Sequence, residues 1–134
     1  MSSMNHFAIL QFCRAYMNAL DNLAIRFSDV RVLAQMCMVP GVHIPAQLAM
    51  QLNVSRAMIS ANLTSLVKAG MILRVPSPDD GRSVVLMPTK LGMKTFQQIN
   101  KNIQGVQDKL GQKMGQKKVD DLIKLIVQAN GVLA

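Results

Sequence analysis

A chain of 134 residues, half of them hydrophobic, holds about one domain's worth of material with enough apolar content for a real core, which excludes a wholly disordered protein. Fifteen Lys and Arg against seven Asp and Glu give a formal net charge of +8, and that excess favours a polyanionic partner, because cations that neutralise phosphates release condensed counterions. No run of about 18 apolar residues is present, the first residues lack the pattern of a secretion signal, and two cysteines are too few for a disulfide framework. The expectation is a cytoplasmic protein with no membrane partner. His6 and His43 stand apart from each other and from Cys13 and Cys37, so neither a metal site nor a cofactor is expected. There is no Gly-rich phosphate loop, nucleophile motif or clustered acid and base pair, and an enzyme is therefore not expected.

In chain order, residues 6 to 20 carry Phe7, Leu10, Ala15, Met17 and Leu20 among few breakers and predict a first helix with a wide apolar face. Ser28 reads as the cap of a second helix, in which Val30, Leu33, Ala34 and Met38 recur at helical spacing before Pro40 and Gly41 end it. From Pro45 a short helix opens at a position where proline's missing amide hydrogen costs nothing, and Asn53 supplies a turn. Ser55 then caps another helix whose core face is Ile59, Leu63, Leu66 and Val67, and Gly70 stops it.

Two β-prone runs follow, Ile72 to Val75 and Ser83 to Leu86, separated by a Pro, Asp and Gly cluster, which predicts a hairpin. Thr89 caps a long helix with Phe96, Ile99, Ile103, Val106 and Leu110 in steps of three and four, a heptad-like seam. Gly111 and Gly115 are expected to break it before a last helix with Val119, Leu122, Ile123 and Ile126. The predicted class is mainly α with a small β-hairpin wing: a single domain over 1–134, with a winged helix-turn-helix lobe at 28–92 and terminal dimerisation helices at 1–27 and 93–134.

Over roughly residues 28 to 100 the chain resembles the multiple-antibiotic-resistance regulator (MarR) family of bacterial transcription factors. The resemblance rests on SDVRVLAQM, on PAQLAMQLNVSRAMISANLTSLVKAGMI, on the wing PSPDDGRSVVLMPT and on the helix start TKLGMKTF. Its most specific part is Asp80, Gly81 and Arg82 joined to Thr89 and Gly92. It implies a homodimer in which each protomer sets one helix in the major groove and one wing in the minor groove of double-stranded DNA, under control of a small molecule or of oxidation. Two residues depart from the family pattern. Ala61 stands where relatives usually carry a basic residue, and Asn53 stands where glycine is commoner but tolerates the left-handed backbone.

The inward set on the recognition helix turns Ala57, Ala61, Thr64, Ser65 and Lys68 outward, with Arg56 and Ser60 on the flanks and Ser55 at the start. Arg56 suits a guanine edge or a phosphate, and the small alanines suit a thymine methyl. Arg82 at the hairpin tip suits minor-groove insertion. Lys68, Arg74 and Lys90 suit phosphates, though each reads equally as a solubilising charge. Asp80 is expected to orient the wing, by accepting hydrogen bonds or by an ion pair with Arg82 or Arg74, and not to touch DNA.

The effector crevice implied by the resemblance draws on Phe7, Leu10, Met17, Phe27, Val30 and Met38, all equally good as core. Cys13, with Tyr16 one turn on, is similar to the peroxide-sensing branch of the family, at a different spacing. The reading is a homodimeric, ligand-released repressor. The alternatives are a winged-helix protein-contact module without DNA reading and a thiol-oxidation sensor acting through Cys13.

Overall fold

The computed structural model describes residues 3–21 and 23–134. Its elements, in chain order, are α1 (Ser3–His6), α2 (Ala8–Asn18), α3 (Phe27–Met38), α4 (Pro45–Leu52), α5 (Arg56–Lys68), β1 (Ile72–Pro76), β2 (Val84–Pro88), α6 (Lys90–Met114) and α7 (Gln116–Leu133). They fall into two units, residues 22–98 and residues 1–21 with 99–134.

In the 22–98 unit the local signals act where the sequence puts them. Pro45 is the first residue of α4, and Asn53 closes that helix in the left-handed region at φ 53°, a conformation its short polar side chain tolerates. Ser55 accepts a hydrogen bond at 3.0 Å from the Met58 amide and so satisfies one of the orphan donors at the start of α5. Gly70 takes φ 74°, which lets the Met71 amide return to the Leu66 carbonyl and stop the helix. Thr89 acts in two directions. Its hydroxyl donates to the Gly70 carbonyl at 2.6 Å and accepts from the Gly92 amide at 3.0 Å, tying the end of α5 to the start of α6.

The hairpin pairs β1 with β2 antiparallel, from Ile72 opposite Pro88 to Pro76 opposite Val84. A two-stranded ribbon is marginal in water unless it packs on something. Here His43, just ahead of α4, exchanges both backbone hydrogen bonds with Leu86 at 2.9 and 2.8 Å, so the ribbon gains a third short edge. Buried Ile72, Val85 and Leu86 anchor it to a core made of Val30, Val32, Leu33 and Met36 from α3, Leu48 from α4, and Ile59, Leu63 and Leu66 from α5. Each such side chain contributes roughly 1.5–3 kcal/mol by leaving water. His43 is buried with them, its Nε2 within 3.1 Å of the Met36 carbonyl and 3.0 Å of the Val39 carbonyl, so it is a satisfied core histidine.

Three boundaries differ from the sequence expectation. The helix expected to start behind Ser28 starts at Phe27, because Asp29 reaches back to accept from the Arg26 amide at 3.2 Å and so replaces a serine cap. The first strand starts at Ile72 as expected but runs on to Pro76, and the second lies one to two residues later, at Val84–Pro88. Gly111 does not break the long helix, which runs on to Met114. Its missing side chain makes room for the Gln116 amide group, and the break comes at Gly115, where φ is 93°.

In the other unit, the single helix expected over 6–20 is interrupted at Phe7 into α1 and α2. Asn102 on α6 donates to the Ala19 carbonyl at 3.0 Å and fixes the end of α2. Along the seam Ile99 is buried, while Ile103, Val106 and Leu110 are half-buried; on α7 only Val119 is buried. Leu125, Val127, Val132 and Leu133 on α7, and Phe7, Ile9 and Leu10 at and after the start of α2, stay exposed. No helix among the described residues is long and apolar enough to cross a membrane.

Candidate nucleic-acid interface

Helix α5 carries the candidate reading face, and its sequence divides it cleanly. Ile59, Asn62, Leu63 and Leu66 are buried and Val67 is half-buried, while Arg56, Ala57, Ser60, Ala61, Thr64 and Lys68 are exposed. The exposed strip is uncharged between its terminal cations, as close approach to base edges requires.

One expected reader does not belong there. Ser65 is half-buried, and its hydroxyl donates at 2.7 Å to Asp29 of α3, so it faces the interior and not a groove. Asn62, which the apolar-spacing argument passed over, donates to the same carboxylate at 2.8 Å and to the Ser28 hydroxyl at 3.3 Å. Asn62 is three residues from Ile59 and four from Leu66, and that spacing was the signal that could have placed it inward.

Asp29 itself is fully buried. Burial pushes its carboxyl up, but the hydrogen bonds from Arg26, Asn62 and Ser65 outweigh it and hold the group below its ordinary value. The charge is thereby fixed at the seam between α3 and α5. Further ties set α3 against α4: Arg31 Nη2 donates to the Leu52 carbonyl at 3.0 Å, and the Gln35 and Gln51 amides meet at 3.3 Å. Helix α5 is thus tied to α3, which is in turn tied to α4.

An open groove of about 260 Å³ runs along one flank of α5, lined by Pro45, Ala46, Arg56, Ile59, Ser60, Leu63 and Arg74. It brings Arg56 and Arg74, from different elements, to one edge of the reading face. Neither has an ion-pair partner among the described residues, and the same holds for Lys68, Arg82 and Lys90.

The wing tip is organised by Asp80. Its carboxylate accepts from the Arg82 amide at 3.0 Å and from the Ser83 hydroxyl at 3.2 Å, and its carbonyl accepts from the Ser83 amide. Ser77 closes the other side, its hydroxyl accepting from the Asp79 and Asp80 amides. The alternative of an ion pair from Asp80 to Arg82 or Arg74 is not found among the described residues; backbone and hydroxyl donors take the carboxylate instead. The Arg82 side chain is exposed at the tip.

The expected effector residues are distributed over both units. Phe7 and Leu10 are exposed and Met17 half-buried in the terminal unit; Phe27 and Met38 are exposed in the lobe. Val30 is buried in the lobe's own core. Cys13 is exposed on α2. Tyr16 stacks at an angle on Phe12, with ring centroids 5.1 Å apart, and its buried hydroxyl has no hydrogen-bond partner among the described residues. Cys37 is different: burial raises its thiol to about 11, which leaves it protonated and unreactive at neutral pH. No cluster of three or more potential metal ligands occurs among the described residues.

No curated protein matches the sequence. A family model described as MarR family matches residues 39–84, the span from the end of α3 to the start of β2. Among solved structures, the transcriptional repressor CouR bound to a 23-mer DNA duplex is similar at a TM-score of 0.80 and 23% identity, over 95% of this chain and 89% of that one. The reduced form of MarR from E. coli is similar at 0.76 and 21%, over 96% of each chain. NadR in complex with 4-hydroxyphenylacetate is similar at 0.69 and 25%, over 96% of this chain and 93% of that one. The resemblance read from the sequence is therefore borne out: residues 39–84 carry the MarR-family signature, and the chain has the winged-helix fold of MarR-family transcriptional regulators.

Proposed function

We propose that this chain is a cytoplasmic, sequence-specific double-stranded DNA-binding regulator that acts as a homodimer, represses transcription, and leaves its site when a small molecule binds. The observation that carries the reading is the form of the 22–98 unit. An uncharged strip on α5, with Arg56 and Arg74 along its edge, is accompanied by a wing whose tip is ordered by Asp80 and whose Arg82 side chain is exposed. That unit carries eight Lys and Arg against three Asp, a local excess suited to phosphates. The DNA-bound state of CouR and the ligand-bound state of NadR support the two halves of the proposal.

Self-association is supported by the exposed apolar residues of α2 and α7, a surface that isolated soluble monomers rarely carry. A two-fold dimer would present two reading helices to half-sites about 34 Å apart. Selection of bound duplexes from a random pool tests the proposal: the expected product is an inverted repeat. Absence of any enriched or retained duplex at low salt would refute it.

A further inference from the structure

Arg26 lies outside the helix-turn-helix, in the residue before α3, yet the fold returns its guanidinium to the recognition helix. Nε and Nη2 donate to the two oxygens of Asp29 at 3.3 and 3.2 Å, and Nη2 also reaches the Ala61 carbonyl at 3.5 Å. The Asp29 side chain is fully buried, whereas that of Arg26 is 59% exposed. One edge of the guanidinium plane is therefore fixed from behind. No group among the described residues accepts from Nη1, which leaves that edge for a partner arriving from solvent.

The position matters because of what lies opposite. An α-helix turns about 100° per residue, which sets Ser60 and Leu63 along one flank of α5 and Asn62 and Ser65 along the other. Arg56 and Arg74 share the groove on the first flank. Arg26 sits on the second, through Asp29, Asn62 and Ser65. Between them runs the uncharged strip of Ala57, Ala61 and Thr64, and Ala61 itself offers only a methyl group. A helix lying in a major groove has a phosphate strand on either side, and cations on both flanks match that geometry. The Asp29 carboxylate offsets part of the Arg26 charge, but it lies behind the guanidinium, so the outward Nη1 edge is the nearer group to a phosphate arriving from solvent.

We propose that Arg26 is a phosphate-contacting residue of the interface, buttressed by Asp29 and engaging the DNA strand on the flank of α5 opposite Arg56 and Arg74. This rests on the reading of the chain as a duplex binder. The contact positions the helix in the groove and carries no sequence information. Pre-fixing the guanidinium from behind also lowers the ordering cost that a free arginine pays on binding.

Duplex affinity measured across a salt series for the unsubstituted protein, Arg26→Gln and Arg26→Lys tests the assignment. Arg26→Gln should flatten the slope of log affinity against log salt by about 0.9 per bound protomer. Its affinity should fall by the same factor on a selected and on a random duplex, and Arg26→Lys, which keeps the charge, should restore the slope. A folded Arg26→Gln protein with an unchanged slope would overturn the assignment, as would an Arg26→Lys protein that behaves like Arg26→Gln. Should Arg26→Gln fail to fold, phenylglyoxal labelling of the unsubstituted protein gives the same decision. Labelling of Arg26 should slow severalfold when duplex is present, and equal rates with and without duplex would overturn the proposal. An unsubstituted protein with no salt-dependent binding to any duplex would sink the DNA reading as well, which separates the two failures.

Discussion

Replacing Asp29 by alanine removes the carboxylate on which Arg26, Asn62 and Ser65 converge, and its cost can be worked from the contacts. Asn62 is buried and would keep only its longer bond to Ser28; a buried donor deprived of its partner costs about 1–3 kcal/mol. Ser65 is only half-buried, so its freed hydroxyl is partly solvated and adds about 1 kcal/mol. The Arg26 guanidinium is more than half exposed, so solvent screening limits its share to at most about 1 kcal/mol. The expected loss is about 2–5 kcal/mol, overlapping the range for breaking a buried ion pair, or on the order of 10 °C in melting temperature for a chain of this length.

The pH dependence follows from the depressed carboxyl. A group whose folded-state value lies below the unfolded one contributes its stability in full above the unfolded range, about 3.9, and loses it as pH falls through the folded value. Urea unfolding of the two proteins should therefore show a constant gap from pH 6 to 8 that narrows on acidification below about pH 4. A variant within about 1 kcal/mol of the parent at neutral pH, or a gap that persists unchanged in acid, would refute the argument.

Three further outcomes are expected. Arg82→Ala should weaken duplex binding by about 1–3 kcal/mol in a titration while leaving the melting curve unchanged, since the side chain is exposed at the tip; unaltered affinity would count against the wing as a contact. Gly92→Ala would drive a methyl group into the Met71 carbonyl, which backbone cannot easily yield, and should destabilise the protein by about 1–3 kcal/mol by thermal melting. Ile103→Asp puts a carboxylate in the half-buried seam of α6 and should yield monomers by analytical ultracentrifugation; a stable monomer that still bound a full inverted repeat at parental affinity would remove the case for the dimer.

Local chemistry made much of the 22–98 unit legible in advance. Pro45, Asn53, Ser55, Gly70 and Thr89 each act on backbone groups within a few residues, so their effect is written in sequence spacing. The same holds for Asp80, whose partners Arg82 and Ser83 are two and three residues away. Periodicity likewise found Ile59, Leu63 and Leu66, because a helix repeats on the scale of the window used to read it.

What spacing does not encode is which distant polar groups will share an acceptor. Asn62 and Ser65 reach Asp29 across 33 and 36 residues, and Arg26 reaches Ala61 across 35. A burial pattern scored on apolar residues assigns serine outward and says nothing of an arginine ahead of a helix. Only packing α3 against α5 makes a buried carboxylate, and that carboxylate then draws every nearby donor because an unpaired charge in the interior is too costly to leave. The sequence alone thus determined where the helices start, stop and turn their oily faces. The tertiary structure decided which side chains of α5 remain on its exposed face, because that choice depends on which donors the interior claims first.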